Sequence, residues 1–145
     1  MIEIKKIPSE LTYIVRQPVL RVGKPIDSCR FDGDDLNTTT HLGLYKNNEI
    51  IGVVSVFEAK NEHFDSEKQY QVRGMAVLDK EQHNGYGNYL MNEVEKLAQH
   101  NKVALIWFNA RENAVNFYKK LDYEIFGTAF DIAGIGTHYV MWKQI

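Results

Sequence analysis

Cysteine is nearly absent. Cys29 is the single one among 145 residues, so no internal disulfide framework is available, and such usage fits a reducing, cytoplasmic compartment. Prolines are few, at positions 8, 18 and 25, and no Pro/Ser-rich tract, repeat or low-complexity run marks a linker. No apolar stretch approaches the roughly 18 residues that a membrane-spanning helix requires, so no membrane partner is expected. Neither sign of charge dominates: 17 Lys and Arg stand against 19 Asp and Glu, for a formal charge of -2. Lys5-Lys6 and Lys119-Lys120 are isolated pairs, and a basic field for nucleic acid is missing. His63, His83 and His100 are scattered without ligand spacing, and no cysteine pair helps them, so no metal is expected.

What is present is a core. Hydrophobic residues make up 44% and charged residues 25% of the chain, enough for one globular domain over residues 1–145. Residues 2–7 alternate polar and apolar, which predicts a strand rather than a leader segment. Ser9 is a candidate N-cap for a helix with Leu11, Ile14 and Val15 on one face. Residues 18–40, with Gly23, Pro25, Gly33 and the acids Asp32, Asp34 and Asp35, read as an irregular connection holding one short helical turn. His41–Tyr45 and Glu49–Phe57 are strands joined by a hairpin at Lys46-Asn47-Asn48, and Gln69–Leu78 is the next strand. Tyr86, Leu90, Val94 and Leu97 then recur at helical spacing. The unbroken apolar run 103–108 predicts a strand buried on both faces. Ala114, Phe117, Tyr118 and Leu121 mark another amphipathic helix, and Tyr123–Phe130 and Thr137–Trp142 close the chain around Gly134-Ile135-Gly136. Antiparallel hairpins followed by strand–helix–strand predict a mixed α/β fold.

The stretch from Val72 to Gly87 carries the chemical signal. An apolar strand enters a turn with Gly85 and Gly87, and a helix begins there. Free amides and the helix dipole favour an anion, and glycines allow close approach, so this is a candidate pyrophosphate site. An isolated Gly-x-Gly equally fits a bare strand-to-helix turn. The dinucleotide fingerprint fails because position 90 is Leu, and the nucleotide P-loop fails because no Gly-Lys-Ser/Thr follows.

Gln82-x-x-Gly85-x-Gly87, placed after Met75-Ala76-Val77, resembles the acetyl-CoA motif of the GNAT N-acetyltransferases. Ala114-Val115-Asn116-Phe117-Tyr118-Lys119-Lys120-Leu121-Asp122-Tyr123 is similar to that family's second signature, and the element order matches over essentially the whole chain. Leu20-Arg21-x-Gly-x-Pro and the late Gly-Thr-His-Tyr-Val-Met-Trp-Lys also resemble a widespread, functionally obscure GNAT subgroup. The resemblance implies the GNAT fold, a central mixed sheet with splayed strands flanked by helices, and acetyl-CoA as cosubstrate. By the same resemblance, the backbone of Gln82, His83, Asn84, Gly85, Tyr86 and Gly87, with Asn88, cradles the pyrophosphate. Met75, Ala76 and Val77 pair with the pantetheine arm, and Asn109 borders the slot. Asn113, Phe117 and Tyr118 complete the implied cofactor contacts.

Tyr118 corresponds to the family tyrosine that protonates the departing thiolate; spacing alone equally makes it a core residue. The strand at 72–77 offers Arg73 and no carboxylate, which departs from relatives with a glutamate base. His138, on a late strand that borders the acceptor pocket in the family, is the candidate base, with His41 behind it. Arg111 stands where many relatives carry Asn, and Asp122 replaces a cap glycine and is expected in the left-handed conformation. Cys29 is expected to be a passive thiol. The implied reaction is direct transfer of acetyl to a primary amine, of a small molecule if Arg16, Arg21 and Arg30 hold an acceptor carboxylate or phosphate. The acids 32, 34 and 35 fit either a cationic acceptor or a solvated loop. A non-catalytic acyl-CoA sensor and a protein N-acetyltransferase are the alternatives, and a homodimer through the late strands is compatible with the pattern.

Overall fold

A computed structural model describes all residues, 1–145. In chain order the elements are β1 (Ile2–Ile7), α1 (Ser9–Leu20), β2 (Thr40–Lys46), β3 (Glu49–Glu58), β4 (Gln69–Val77), α2 (Tyr86–His100), β5 (Leu105–Arg111), α3 (Val115–Lys119), β6 (Glu124–Ile132) and β7 (Gly136–Gln144). Short 3-10 turns cover Ile26–Cys29, Asp79–Glu81 and Glu112–Ala114. The strands form one seven-stranded sheet in the order β1-β2-β3-β4-β5-β7-β6. Every pairing is antiparallel except β4 with β5. The mixed α/β fold expected from the sequence is therefore present.

Alternation along the strands separates two layers. Val54, Val56 and Val72 face α2, which buries Leu90, Met91, Val94 and Ala98; Val53 and Ala76 face the other way and pack on Val15 of α1. Each fully buried aliphatic side chain contributes roughly 1.5–3 kcal/mol. The β2–β3 hairpin turns through Asn47 and Asn48 at φ 51° and 70°, the positive values that a tight hairpin turn needs. Asp122 has φ 72°, so it takes the left-handed cap expected of it.

Helix α1 departs from the sequence reading in three ways. Its cap is Pro8, not Ser9, whose hydroxyl instead donates to Asp35 at 2.7 Å. It runs two residues past Pro18, which sits inside it. Its inward stripe is Ser9, Thr12, Val15 and Arg16, whereas Leu11 and Ile14 are exposed. The reason is a buried ion pair. Arg16 Nη1 donates to Asp34 at 2.7 Å and to the Cys29 carbonyl at 2.8 Å, while Nη2 donates to Asp34 and to Ser55. A guanidinium so engaged draws its own helix face inward, and the polar face becomes the core face. Helix α3 is also shorter than its apolar spacing suggests, because the 3-10 turn at 112–114 supplies the first part of that stripe.

Candidate active site

Parallel strands β4 and β5 pair only from Gln69↔Leu105 to Gln71↔Trp107. Beyond that point β4 continues to Val77 and β5 to Arg111 with no bond between them. A β-bulge helps to part them: Val53 opposes Ala76 and Ser55 opposes Arg73, so β4 carries one extra residue. Gly74 takes φ 66° there, and a Cβ on it would meet the Phe31 ring at 2.8 Å. Leu78 donates to Ile51 of β3. Because an antiparallel ladder alternates, the backbone groups of Val77 point away from β3, into the gap. Its carbonyl there accepts from Gln82 Nε2 at 2.9 Å.

Helix α2 starts at the open end of that gap. Gly85 caps it with φ 80°, and nothing lies within 4 Å of the Cβ it lacks. The first helical bond runs from the Tyr89 amide to the Gly85 carbonyl; the amides of His83, Asn84, Gly85, Tyr86, Gly87 and Asn88 have no partner in the chain. Gly87 has a different task, since a Cβ there would stand 2.9 Å from Phe117 and force α2 and α3 apart. The loop is braced from outside. Asn84 Nδ2 donates to the Glu81 carbonyl, and Lys46 Nζ bonds the Glu81 carboxylate at 2.8 Å. Hydrogen bonding to Glu81 raises the Lys46 pKa.

On the far side of the gap lies a cavity of about 290 Å3. Met75, Asn109, Tyr118 and His138 line it, and so do Phe31, Gln71 and the arginines 21, 73 and 111. Tyr118 is held by aromatic contacts with Phe108 at 4.3 Å and Phe117 at 5.0 Å between ring centres. Tyr118 lines the cavity, and its hydroxyl makes no hydrogen bond within the chain. Burial pushes its pKa well above the ordinary phenol value. His138 is 4% exposed, and its Nδ1 lies 2.8 Å from the Gly136 carbonyl. A carbonyl only accepts, so Nδ1 carries a hydrogen, and in the neutral ring the lone pair falls on Nε2.

The site residues read from sequence thus fall into two groups. Gln82 to Asn88 form the bare helix start, and Met75, Asn109, Tyr118 and His138 line the cavity, with Val77 between. Ala76 turns its side chain to α1, Phe117 packs on Gly87, and Asn113 is exposed on the 3-10 turn outside the cavity. His41 is removed from candidacy: both ring nitrogens are occupied, by Ser55 Oγ at 2.6 Å and the Asp34 carbonyl at 2.8 Å. Of Arg16, Arg21 and Arg30, only Arg21 reaches the cavity. Arg16 is spent on Asp34, and Arg30 pairs with Asp35 at 3.1 Å on the surface. Sequence reasoning noted Arg73 and Arg111 only as departures from the family pattern and missed them as cavity residues. Their signal was position: Arg73 lies on β4 just past its last pair with β5, and Arg111 ends β5.

A mixed sheet unzipped between two parallel strands, with a bare helix start at the split, is the arrangement of an acyl-group transferase of the GNAT type. The chain belongs to that family: the model of the Acetyltransferase (GNAT) family matches residues 12–123. It is 32% identical over 145 residues to the Bacillus subtilis (strain 168) protein described as an uncharacterized N-acetyltransferase, YitI, covering 100% of this chain and 97% of that one. A crystal structure from Lactobacillus plantarum superposes with a TM-score of 0.80 at 20% identity, covering 99% of this chain and 97% of the other. An aminoglycoside 6'-N-acetyltransferase complexed with coenzyme A superposes at 0.77 with 13% identity, covering 98% and 96%. The chain is an acetyltransferase. No helix is long and apolar enough to cross a membrane.

Proposed function

We propose that this acetyltransferase domain, residues 1–145, takes acetyl from acetyl-CoA and passes it directly to the primary amine of a small molecule. The observation that carries the reading is the run of unpartnered amides from His83 to Asn88 beside the open β4–β5 gap. Four of the six residues, His83, Asn84, Gly85 and Asn88, are exposed, so these amides face open space where a ligand can reach them, and an uncapped helix start suits a pyrophosphate. The relative complexed with coenzyme A has the same fold. The Gly85 surroundings leave room for such a ligand, and Val77, with its amide aimed into the gap, fits a pantetheine arm lying there as a neighbouring strand.

The cosubstrate supplies an activated acyl carbon; the chain supplies the rest. Val77 N–H stabilises charge developing on the thioester oxygen. His138 Nε2 removes a proton from the amine as its nitrogen forms the new C–N bond. Tyr118 donates its proton to the sulfur as the C–S bond breaks. Its raised pKa does not defeat that role, because the burial that lifts a phenol also lifts a thiol in the same slot. The products are an N-acetylated amine and coenzyme A, with the amine proton left on His138 and returned through solvent to Tyr118.

The test is calorimetric titration of acetyl-CoA into the wild type and Gly85→Asp. A carboxylate at position 85 enters open space and repels an anion; Asp tolerates the left-handed φ of 80° at a cost of about 1 kcal/mol, and thermal denaturation checks that the variant stays folded. Micromolar binding by the wild type, weakened at least about tenfold in the variant, is the expected result. No binding by the wild type refutes the donor assignment, and equal binding by both refutes the helix start as its site.

A further inference from the structure

The cavity beyond Tyr118 carries a charge that the rest of the chain does not share. Arg21, Arg73 and Arg111 line it, and no Asp or Glu does, in a protein whose formal charge is -2. None of the three has a carboxylate partner. The nearby Asp34 cannot serve, because both of its oxygens are taken by Arg16.

Arg73 is placed most tellingly. Its guanidinium carbon lies 4.9 Å from the Phe31 ring centre and 5.1 Å from that of Phe57, and Nη1 donates to the Asp32 carbonyl at 3.2 Å. Arg21 lies over the other reach of Phe31 at 5.3 Å, its own donors going to Ser28 and Leu20 carbonyls. Arg73 Nε and Nη2 make no hydrogen bond within the chain, and that pair of donors is an edge a carboxylate can meet with two parallel bonds. A half-buried cation without a counter-ion is costly, and an anionic ligand removes that cost. The pyrophosphate end of acetyl-CoA does not explain these charges, since no residue from 82 to 88 borders the cavity.

We infer that the acceptor is an amine that also bears a carboxylate, an amino acid in the chemical sense, and that Arg73 with Arg21 and Arg111 reads that carboxylate. This inference rests on the acetyltransferase reading of the same site. The same cations disfavour the protonated form of the acceptor's amine, which helps supply the neutral nucleophile where the strand offers no glutamate base. Polyamines and other multiply cationic acceptors are excluded by the same repulsion.

The experiment uses the purified chain, saturating acetyl-CoA and a thiol-release assay. The panel is the α-, β- and ω-amino acids, each with its carboxamide and its decarboxylated amine, together with spermidine. The acids are expected to exceed their neutral and cationic counterparts by at least about tenfold in kcat/KM, the value of one charge-assisted contact. Arg73→Gln should shrink that ratio to about threefold or less, with acetyl-CoA affinity unchanged. Arg111→Gln, at an exposed residue with no partner in the chain, should lower the ratio without touching the fold. Amides, decarboxylated amines or spermidine used as well as the acids would overturn the inference. So would a panel in which no acid is either turned over or bound in calorimetry. Calorimetry of the acids on the protein alone separates the two readings. Acid binding without acetyl-CoA binding defeats the donor assignment only; acetyl-CoA binding with no preference for acids defeats this inference only.

Discussion

Tyr118→Phe removes one oxygen atom and tests the proposed acid directly. The hydroxyl makes no hydrogen bond within the chain, while the ring packs on Phe108, Phe117 and Tyr123. Phenylalanine keeps those contacts, so stability should change by no more than about 0.5 kcal/mol, or about 2 °C in Tm. General acids contribute roughly 100- to 10,000-fold, and a thiolate is already a fair leaving group, so the lower end applies: kcat should fall about 100-fold. The acetyl-CoA dissociation constant should hold within about twofold, because the pyrophosphate and pantetheine contacts proposed here are made elsewhere. Tyr118→Ala serves as a contrast, since losing the ring costs about 3–5 kcal/mol and unfolds the cavity wall. The assays are thiol release for kcat, calorimetry for affinity and thermal denaturation for stability. Unchanged kcat, or affinity lost in step with turnover, refutes the acid role. A Tm drop of many degrees would instead make Tyr118 a packing residue.

Two further outcomes follow from buried groups. Asp34→Asn leaves the Arg16 guanidinium, fully buried, without its counter-charge, and should cost about 3–5 kcal/mol, read as a lower urea midpoint at unchanged slope. Replacing both partners by apolar residues should recover most of that loss. Alkaline stability should fall once the pH rises above about 10, the ordinary phenol pKa. Tyr118 and Tyr123 have folded-state pKa values raised above that, Tyr118 by burial and Tyr123 by burial and then Glu95. The unfolded chain then ionises first and is favoured, whereas below pH 10 neither tyrosine contributes any slope. Tyr123→Phe should flatten that alkaline decline in denaturant titrations across pH 9 to 11; an unchanged slope refutes it.

The parts of the fold that were legible in the sequence are those where one periodicity dominates. Leu90 and Val94 fixed the buried side of α2, and the apolar run 103–108 fixed β5 as a strand covered on both faces. Helix α1 was misread because its core face is polar. Ser9, Thr12 and Arg16 do fall at helical spacing, but a rule that looks for apolar stripes passes over them. The partner of Arg16, Asp34, lies 18 residues on, in an irregular segment whose path no local pattern specifies. The split between β4 and β5 was legible only through family resemblance. Nothing in either strand's composition says where their pairing stops, although Gly74 marks the bulge once the structure is known. The arginine-lined cavity was half visible: Arg21 was named for the acceptor, but Arg16 and Arg30 were named with it, since charge type does not reveal which cations already hold a partner.

Both halves of the site are defined by backbone and side-chain groups that the fold leaves single. A sheet satisfies its strands by pairing them, and here it declines to do so beyond Gln71 and Trp107. A helix leaves its first amides free, and here no side chain caps them. The Tyr118 hydroxyl and three arginines likewise find no partner of the kind their chemistry favours. Elsewhere most buried groups are met: Arg16 Nη1 and Nη2 by Asp34, Ser55 and Cys29, with its Nε alone left buried and unpaired, and His41 by Ser55 and Asp34. That contrast matters physically, because the satisfied network is what keeps the unsatisfied groups apart. Arg16 lies 3.8 Å under the Phe31 ring, Arg73 lies 4.9 Å from its centre, and Gly74 admits that ring against the bulge of β4. The buried ion pair of α1 therefore shapes the wall of the cavity proposed to take the acceptor. Weakening it should blur the preference for acids before it disturbs the helix start where acetyl-CoA is proposed to bind.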